Sequence, residues 1–551
     1  MEEVLSSIEP VVTEQMNRYL TAPYTQEEIV HALKHMHPFK APGPDVITNR
    51  LKLILLVIIH ESQSAFVPGH HITYNALIAF EIFHMVKLNK DRAHGVFAFK
   101  LDMAKAYDRV EWCFLESMMR HIGFHSSMVD LIMRCVTSVF FRVLVNGFPR
   151  AEFEPSRGLH KGDPLSHFFF FFLRRSTLGP TTPSRNKEAC SWSENLPYYT
   201  KNEPLVVCGR LYCVWANAAE VGIISTIMER YEVVSGQKVN LEKSTIFFSG
   251  GVTPDLRLEL ANLLGVQCQG QRGSYLGIPS SVGRSKVEIF QMLVDRTRKK
   301  SKDWKRRFLF GAGKIVLIKA VLQAIPTYLM SSFAIPKQIC QRLNSVAANF
   351  FWGQKLDERR IRWKSWNKLC MAKVEEGISF RDLSRFNQAM LAKQVRRLAK
   401  NETSLLARSL KARYFPRNDI FLASKAHKPS FVWTSLLVGR DLLARGMVWH
   451  LGDGARIRIG IDAWLPDGRG NYLEAQDMGR VAEVFPSTEV WKIASNLALD
   501  STKRDRIFWP HGRGNVYTVK SGYHVAGEIH RRERKLQLRL ILAAYGNGFG
   551  G

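Results

Sequence analysis

The sequence predicts a mixed α/β fold built from several domains. Three observations carry that expectation. A chain of 551 residues is long enough for roughly three to four domains at about 150 residues each. A short apolar strand, Phe97–Asp102, ends on a carboxylate and runs into a stretch of helical period, the alternation expected of an α/β domain. Residues 140–155 read as a β-hairpin, and the chain beyond 286 turns to basic amphipathic helices.

Each element follows from a local signal. Thr25, with Glu27 and Glu28 behind it, predicts a helix start and a helix over 26–36. Lys40-Ala-Pro-Gly-Pro-Asp45 breaks it, since two prolines and a glycine make a loop. Gln63–Gly69 is a second loop, and 72–88 reads as an amphipathic helix. Met103–Arg120 has helical period. Phe140–Asn146 alternates like a strand, Gly147-Phe-Pro149 turns, and Ala151–Pro155 returns. Residues 167–215 open with five consecutive Phe and show no sustained period, which predicts no consistent fold there. Order is expected again from Ala216: a helix to about Val234, then a strand over Lys243–Ser249. Residues 286–310 and 314–330 read as two basic helices, 340–450 as helical, and 451–523 as strand-rich.

Composition narrows the function classes. Hydrophobic residues at 46% and charged residues at 23% exclude a disordered or collagen-like chain. Lys and Arg number 78 against 49 Asp and Glu, a formal charge of +29. An excess of that size points to a polyanion, with nucleic acid ahead of a membrane surface, or to a merely soluble basic protein. The 8 cysteines form no CxxC pair and have no histidine pair at zinc spacing. They imply a reducing compartment. The acidic start MEEVLSSIEP does not resemble a signal peptide, and no apolar run reaches the roughly 20 residues that span a bilayer. The expectation is an intracellular protein, nuclear or cytoplasmic, neither secreted nor held in a membrane.

Asp102 is the first candidate for chemistry. A carboxylate at a strand end can present hard oxygen ligands to Mg²⁺. An N-cap aspartate is the alternative reading of the same residue.

Several further blocks stand in order along the chain. They are Lys40-Ala-Pro-Gly-Pro-Asp45, Asn49-Arg-Leu-Lys52, Gln63-Ser-Ala-Phe-Val-Pro-Gly69 and Lys100-Leu-Asp-Met-Ala-Lys-Ala-Tyr-Asp-Arg-Val-Glu-Trp112. Ser156-Arg-Gly-Leu-His-Lys-Gly-Asp-Pro-Leu-Ser166, Gly236-Gln-Lys-Val-Asn-Leu-Glu-Lys-Ser244 and Tyr275-Leu-Gly-Ile-Pro-Ser280 follow. Further on come Ala312–Met330, Asn349-Phe-Phe-Trp-Gly353, Phe386-Asn-Gln-Ala-Met-Leu-Ala-Lys393, Lys411-Ala-Arg-Tyr-Phe-Pro416, Gly452-Asp-Gly454 and Val519-Lys-Ser-Gly-Tyr523. Together they resemble the reverse transcriptase of plant LINE-type, non-LTR retrotransposons, over most of 25–525.

The resemblance implies a right-hand polymerase: an N-terminal extension (1–24), fingers and palm (25–282), a helical thumb (283–350) and a C-terminal mixed region (351–551). It implies an RNA template, a DNA primer and deoxynucleotides as partners, no further small-molecule cofactor, and Mg²⁺ held by Asp102. Tyr107 would gate the incoming sugar. Gly158, Lys161 and Gly162 would lie against the template–nucleotide pair. Lys243 would donate a proton to pyrophosphate. Tyr275, Leu276 and Gly277 would grip the primer. Arg306, Arg307, Lys314 and Lys319 would touch phosphates, with a solvated helix face as the equal alternative. Lys105 and Arg109 carry the same two readings.

The departures matter as much. The family's aromatic-Ala-Asp-Asp turn should lie shortly before Ala216, where this chain reads Val206-Val-Cys-Gly-Arg-Leu-Tyr-Cys-Val-Trp215. No Asp occurs between 164 and 254. An out-of-frame stretch over 167–215 is the simplest account of that, and a sequence error or an intron read as coding would look the same. Most of the fingers block between Asp45 and Asn49 is absent. Lys161 and His167 stand where the family has Gln and Pro. The chain also lacks the family's endonuclease and stops before its zinc-binding and RNase H segments. The expectation is therefore a degenerate, catalytically impaired RNA-directed DNA polymerase. A non-catalytic nucleic-acid-binding protein is the alternative, and a group II intron maturase fits less well. Gly311-Ala-Gly-Lys314 is no phosphate loop, because Phe308 and Ile315 stand where Gly and Ser or Thr are needed. Trp352, Trp363, Trp366 and Trp433 are expected in cores, and Gly452-Asp-Gly454 in a turn.

Overall fold

The computed structural model describes residues 1–5, 9–35, 45–59, 71–91, 95–160, 163, 165, 166, 168, 169, 206–207, 211–266, 274–279, 286–305, 309–353, 361–450 and 506–546. Two compact units form. The first comprises Met1–Ser281 with Ser404–Arg413, the second Val282–Thr403 with Tyr414–Gly551.

In the first unit, helices α1 (Glu2–Leu5), α2 (Glu14–Thr21), α3 (Gln26–His35), α4 (Asp45–Ile58) and α5 (Ile72–Leu88) precede strand β1 (Val96–Lys100). The Thr25 signal is borne out: its backbone N–H donates to Glu28, and Glu28 N–H donates back to the threonine hydroxyl, a reciprocal cap. The stretch from Met103 departs from expectation. Met103–Ala104 is a short strand, β2, a turn follows, and helix α6 begins only at Trp112 and runs to Ile122. Lys105 takes a positive φ of 47°, which no helix permits, so local period was overridden by pairing of β2 with a distant strand. Helix α7 (Ser126–Thr137) leads into the hairpin β3 (Phe141–Val145) and β4 (Phe148–Phe153). Its turn is Asn146-Gly147, both at positive φ, and starts one residue before the expected Gly147–Pro149, because Phe148 and Pro149 already pair in β4.

Strands β5 (Val206–Val207) and β6 (Leu211–Trp215), helix α8 (Ala218–Ser235), and strands β7 (Lys238–Val239) and β8 (Thr245–Phe248) follow. Asn217 caps α8 through Ala219 N–H and Glu220 N–H, and Gly236 ends it at φ 71°. The main sheet has the order β5-β6-β1-β8, all antiparallel. β1 is central, so Val96, Phe97, Ala98 and Phe99 are all buried and the strand reads as a continuous apolar run. β6 pairs with β1 along its whole length, from Val96 opposite Trp215 to Lys100 opposite Leu211. For the described part of 167–215 this departs from the expectation of no consistent fold. Residues 211–215 are part of the central sheet, and Phe168 and Phe169 are buried in the helical core around Phe114 and Met118. Residues 170–205 and 208–210 lie outside the described residues.

Phe97, Phe99 and Ile246 point to one face of the sheet, where Val221 and Ile224 of α8 and Leu260 of helix α9 (Pro254–Leu263) cover them. On α5, Phe83 packs against Phe247 at 4.8 Å. α5 is buried on nearly every side rather than along a stripe. Even its Glu81 is buried, where Arg413 reaches it at 3.4 Å. That pair fastens 404–413 to the first unit. The hairpin β9 (Ser274–Tyr275) and β10 (Ile278–Pro279) completes the unit.

The second unit opens with α10 (Lys286–Lys305) and α11 (Gly311–Leu317). The single helix expected over 314–330 is broken. One π-turn spans Ile318–Leu322, and α12 covers only Thr327–Met330. Then come α13 (Lys337–Phe351), α14 (Trp366–Leu369), α15 (Leu383–Lys400) and α17 (Phe431–Gly446), with α16 (Leu405–Tyr414) between the last two in the chain and belonging through Arg413 to the first unit. Strands β11 (Val448–His450) and β12 (Arg506–Phe508) pair, and α18 runs from Val519 to Gly546. Residues 451–505, including Gly452-Asp-Gly454, lie outside the described residues, and Val519-Lys-Ser-Gly-Tyr523 is helix rather than strand. Its Tyr523 hydroxyl accepts the N–H of Asp382, the N-cap of α15.

Candidate functional site

β1 delivers Asp102 two residues past its last paired position, on the end of the sheet. Two hydrogen bonds fix its backbone, and a third links their partners. Asp102 N–H donates to Ser244 Oγ at 3.0 Å, and Asn240 N–H donates to the Asp102 carbonyl at 2.7 Å. Ser244 in turn donates to the Asn240 carbonyl at 2.8 Å. The Asp102 carboxylate accepts Met103 N–H through Oδ1 at 3.1 Å. Sequence reasoning missed Asn240 and Ser244; an Asn four residues before a Ser, in a turn that enters a strand, was the available signal.

The turn after Asp102 is clamped from two sides. Gln237 Nε2 donates to Ala106 O at 2.6 Å, and Glu111 N–H donates to Ser235 O at 3.0 Å. From the other side Leu159 N–H donates to Tyr107 O at 2.8 Å, Gly158 N–H to Val110 O at 2.8 Å, and Trp112 Nε1 to Gly158 O at 2.8 Å. Gly158 has φ 93°, and a Cβ there would stand 2.9 Å from Asp108 O. Its lack of a side chain serves this internal contact. Tyr107 is half-buried against the Phe114 core, and Lys105 is exposed.

Lys243 is exposed on the Asn240 turn, next to Ser244, so its backbone is tied to the Asp102 corner. Lys161 and Gly162 lie outside the described residues. Tyr275 is buried, with its ring edge-on to Phe83 at 6.1 Å. The tip of that hairpin is Leu276-Gly277, at φ 49° and 76°, so the turn rather than the tyrosine ring projects from the unit. In the second unit Lys314 is half-buried on α11, and Arg306 and Arg307 lie outside the described residues. Lys319 sits over the Phe380 ring at 5.9 Å. Trp433 is fully buried, stacked on Tyr414 at 4.6 Å, and Trp352 and Trp366 pack against the Phe350–Phe380 core. Trp363 departs from expectation: it is 78% exposed.

Mg²⁺ fits this corner poorly. Among the described residues no three His, Cys, Asp or Glu side chains gather where a metal could be held. Asp163, the nearest acid in the Ser156–Ser166 block, spends its oxygens on Leu165 N–H and the Ser166 hydroxyl, and Asp108 is exposed on the turn. No described helix is long and apolar enough to cross a membrane.

No family model matches the chain. Curated relatives do. An uncharacterized mitochondrial protein of Arabidopsis thaliana is 41% identical over 145 residues, 26% of this chain and 94% of that protein. A putative ribonuclease H protein of the same plant is 28% identical over 268 residues, 44% of this chain and 43% of its own length. A retrovirus-related Pol polyprotein from a type-1 retrotransposable element of Popillia japonica is 30% identical over 87 residues, 16% of this chain and 14% of the polyprotein. The chain thus spans less than half of the two latter relatives. It belongs, over those 145 residues, to the family of the uncharacterized mitochondrial protein of Arabidopsis, and it is related to ribonuclease H-like and retrotransposon Pol proteins.

Proposed function

We propose that this chain is the reverse-transcriptase part of a LINE-type retroelement protein, which keeps nucleic-acid binding while lacking a complete catalytic carboxylate set. One observation carries the reading. Val207 and Leu211 oppose each other in the β5–β6 pair, and Leu211 opposes Lys100 of β1. The hairpin therefore closes at the sheet end that bears Asp102. The resemblance calls for paired aspartates at that closure, and the sequence between the strands is Cys208-Gly209-Arg210. A guanidinium carries the wrong sign for a magnesium ligand. Two-ion phosphoryl transfer needs several carboxylates aimed at one point, and Asp102 by itself does not supply them.

The palm then acts as scaffold. In this reading its sheet and clamped Asp102 turn serve as a template platform, and the +29 charge supplies attraction for RNA template and DNA primer. The test is extension of a primed RNA template with Mg²⁺ and all four deoxynucleotides, run beside Asp102→Ala. Neither protein is expected to extend the primer. Extension by the unaltered chain that disappears in Asp102→Ala overturns the loss of catalysis.

A further inference from the structure

Lys319 occupies a turn that ordinary helical geometry would not provide. α11 continues into one π-turn, closed by Gln323 N–H on Ile318 O at 2.9 Å. π-turns are rare and gather at functional positions. Here Ile318 and Leu322 are buried against Phe350, Leu369 and Phe380, and Lys319 is left above the Phe380 face. Phe380 is itself backed by Trp366, stacked at 5.1 Å and 14°.

Two further cations stand on the segment that packs against this turn. Arg381 follows Phe380, and its carbonyl accepts Gln323 Nε2 at 3.2 Å, which ties its backbone to the π-turn, while its guanidinium lies over the Phe386 ring at 4.9 Å. Lys373 opens a single 3₁₀ turn in the loop that returns to Phe380, held by Gly377 N–H on Ala372 O and Phe380 N–H on Leu369 O. Lys319 feels both neighbours. Burial first, then repulsion from Lys373 and Arg381, push its ammonium below its ordinary pKa. No described carboxylate forms an ion pair with any of the three. The loop's own acids are engaged elsewhere, Glu375 with Arg531 at 3.8 Å and Glu376 with Lys364 at 3.5 Å. Three like charges gathered without a counter-charge repel one another, and an anion seated among them would relieve that repulsion.

We propose that Lys319, Lys373 and Arg381 form a phosphate-binding site that seats a backbone phosphate of a bound nucleic-acid strand. The inference rests on the nucleic-acid-binding reading above and adds two residues, Lys373 and Arg381, that the motif blocks did not single out. Free phosphate or pyrophosphate offers the same chemistry, so the test separates the two sources.

The experiment uses the full chain and a fluorescent single-stranded RNA, with anisotropy followed from about 50 to 300 mM KCl. On a single strand, each phosphate that the protein no longer neutralises lowers the slope of log affinity against log salt by about 0.7. Replacing all three residues by Gln should therefore lower the slope by about 2. Lys373→Gln alone, on an exposed turn that leaves the core intact, should lower it by about 0.7. A charge-matched control, Lys299→Gln with Lys300→Gln and Lys302→Gln on the exposed face of α10, should change it less. An unchanged slope in the cluster variants, or an equal loss in the control, overturns the site while leaving the nucleic-acid reading standing. No RNA binding by the unaltered chain overturns both. A thermal shift with pyrophosphate that vanishes in the cluster variants, beside an unchanged RNA slope, assigns the site to a small anion and overturns the backbone assignment.

Discussion

The Arg50 guanidinium forks onto the Glu28 carboxylate, Nε to Oε1 at 2.9 Å and Nη2 to Oε2 at 2.7 Å. The same guanidinium donates to Leu20 O at 3.1 Å and Pro23 O at 2.9 Å, and it lies over the Tyr24 ring at 4.1 Å. A single side chain thus closes the C-terminus of α2, holds the capping carboxylate of α3 and belongs to α4. Arg50 comes from the Asn49–Lys52 block, and in this chain it joins three helices.

Acid should weaken this junction. The Arg50 hydrogen bonds, then the Thr25 backbone N–H, hold Glu28 down at about 2 from 4.5. A carboxyl depressed on folding contributes stability that is complete above its unfolded value and is lost as pH falls towards the folded one. The loss should therefore fall between pH 4.5 and about 2. Urea unfolding of the native chain and Glu28→Gln should differ near neutral pH and converge as pH drops through that window. A constant difference across it would show that the fork does not control the junction.

Asn387 supports a prediction in the second unit. It is buried, donates to Met330 O and Phe333 O at 2.7 and 2.8 Å, and accepts Ile335 N–H at 2.8 Å. It thereby ties the chain after α12 to α15. Asn387→Ala would leave three backbone groups unpaired in the interior and should cost about 3 kcal/mol, read from the urea midpoint.

The two turn glycines of the first unit separate strain from collision. Gly147 has φ 83° and open space around its Cβ position, so Gly147→Ala should cost about 1 kcal/mol of backbone strain. Gly158→Ala adds contact with the Asp108 carbonyl to a φ of 93° and should cost about 3 kcal/mol. Equal losses in the two variants would mean that the Asp108 turn yields freely.

Hydrogen exchange tests the sheet. Amides of Leu211–Trp215 should be protected to the same degree as those of Val96–Lys100, since the two strands share one ladder. Rapid exchange at 211–215 beside slow exchange at 96–100 would return that segment to the disordered reading.

The sequence by itself determined what depends on neighbours along the chain. The Thr25–Glu28 cap, Asn217 and Gly236 at the two ends of α8, the apolar run of β1 and the position of Asp102 at its end all follow from residues a few places apart. The motif blocks are local in the same sense. Tertiary structure alone decided the rest. Met103–Ala104 becomes a strand because Lys238–Val239 pairs with it, and Leu211–Trp215 becomes one because β1 offers a free edge, although neither segment carries a period that announces it. Lys373 and Arg381 join Lys319 only when the π-turn meets the Phe380 segment. Strand pairing and charge clustering join residues tens to hundreds of positions apart, so their energies are set by proximity in space, which the periodicity of a single segment does not record.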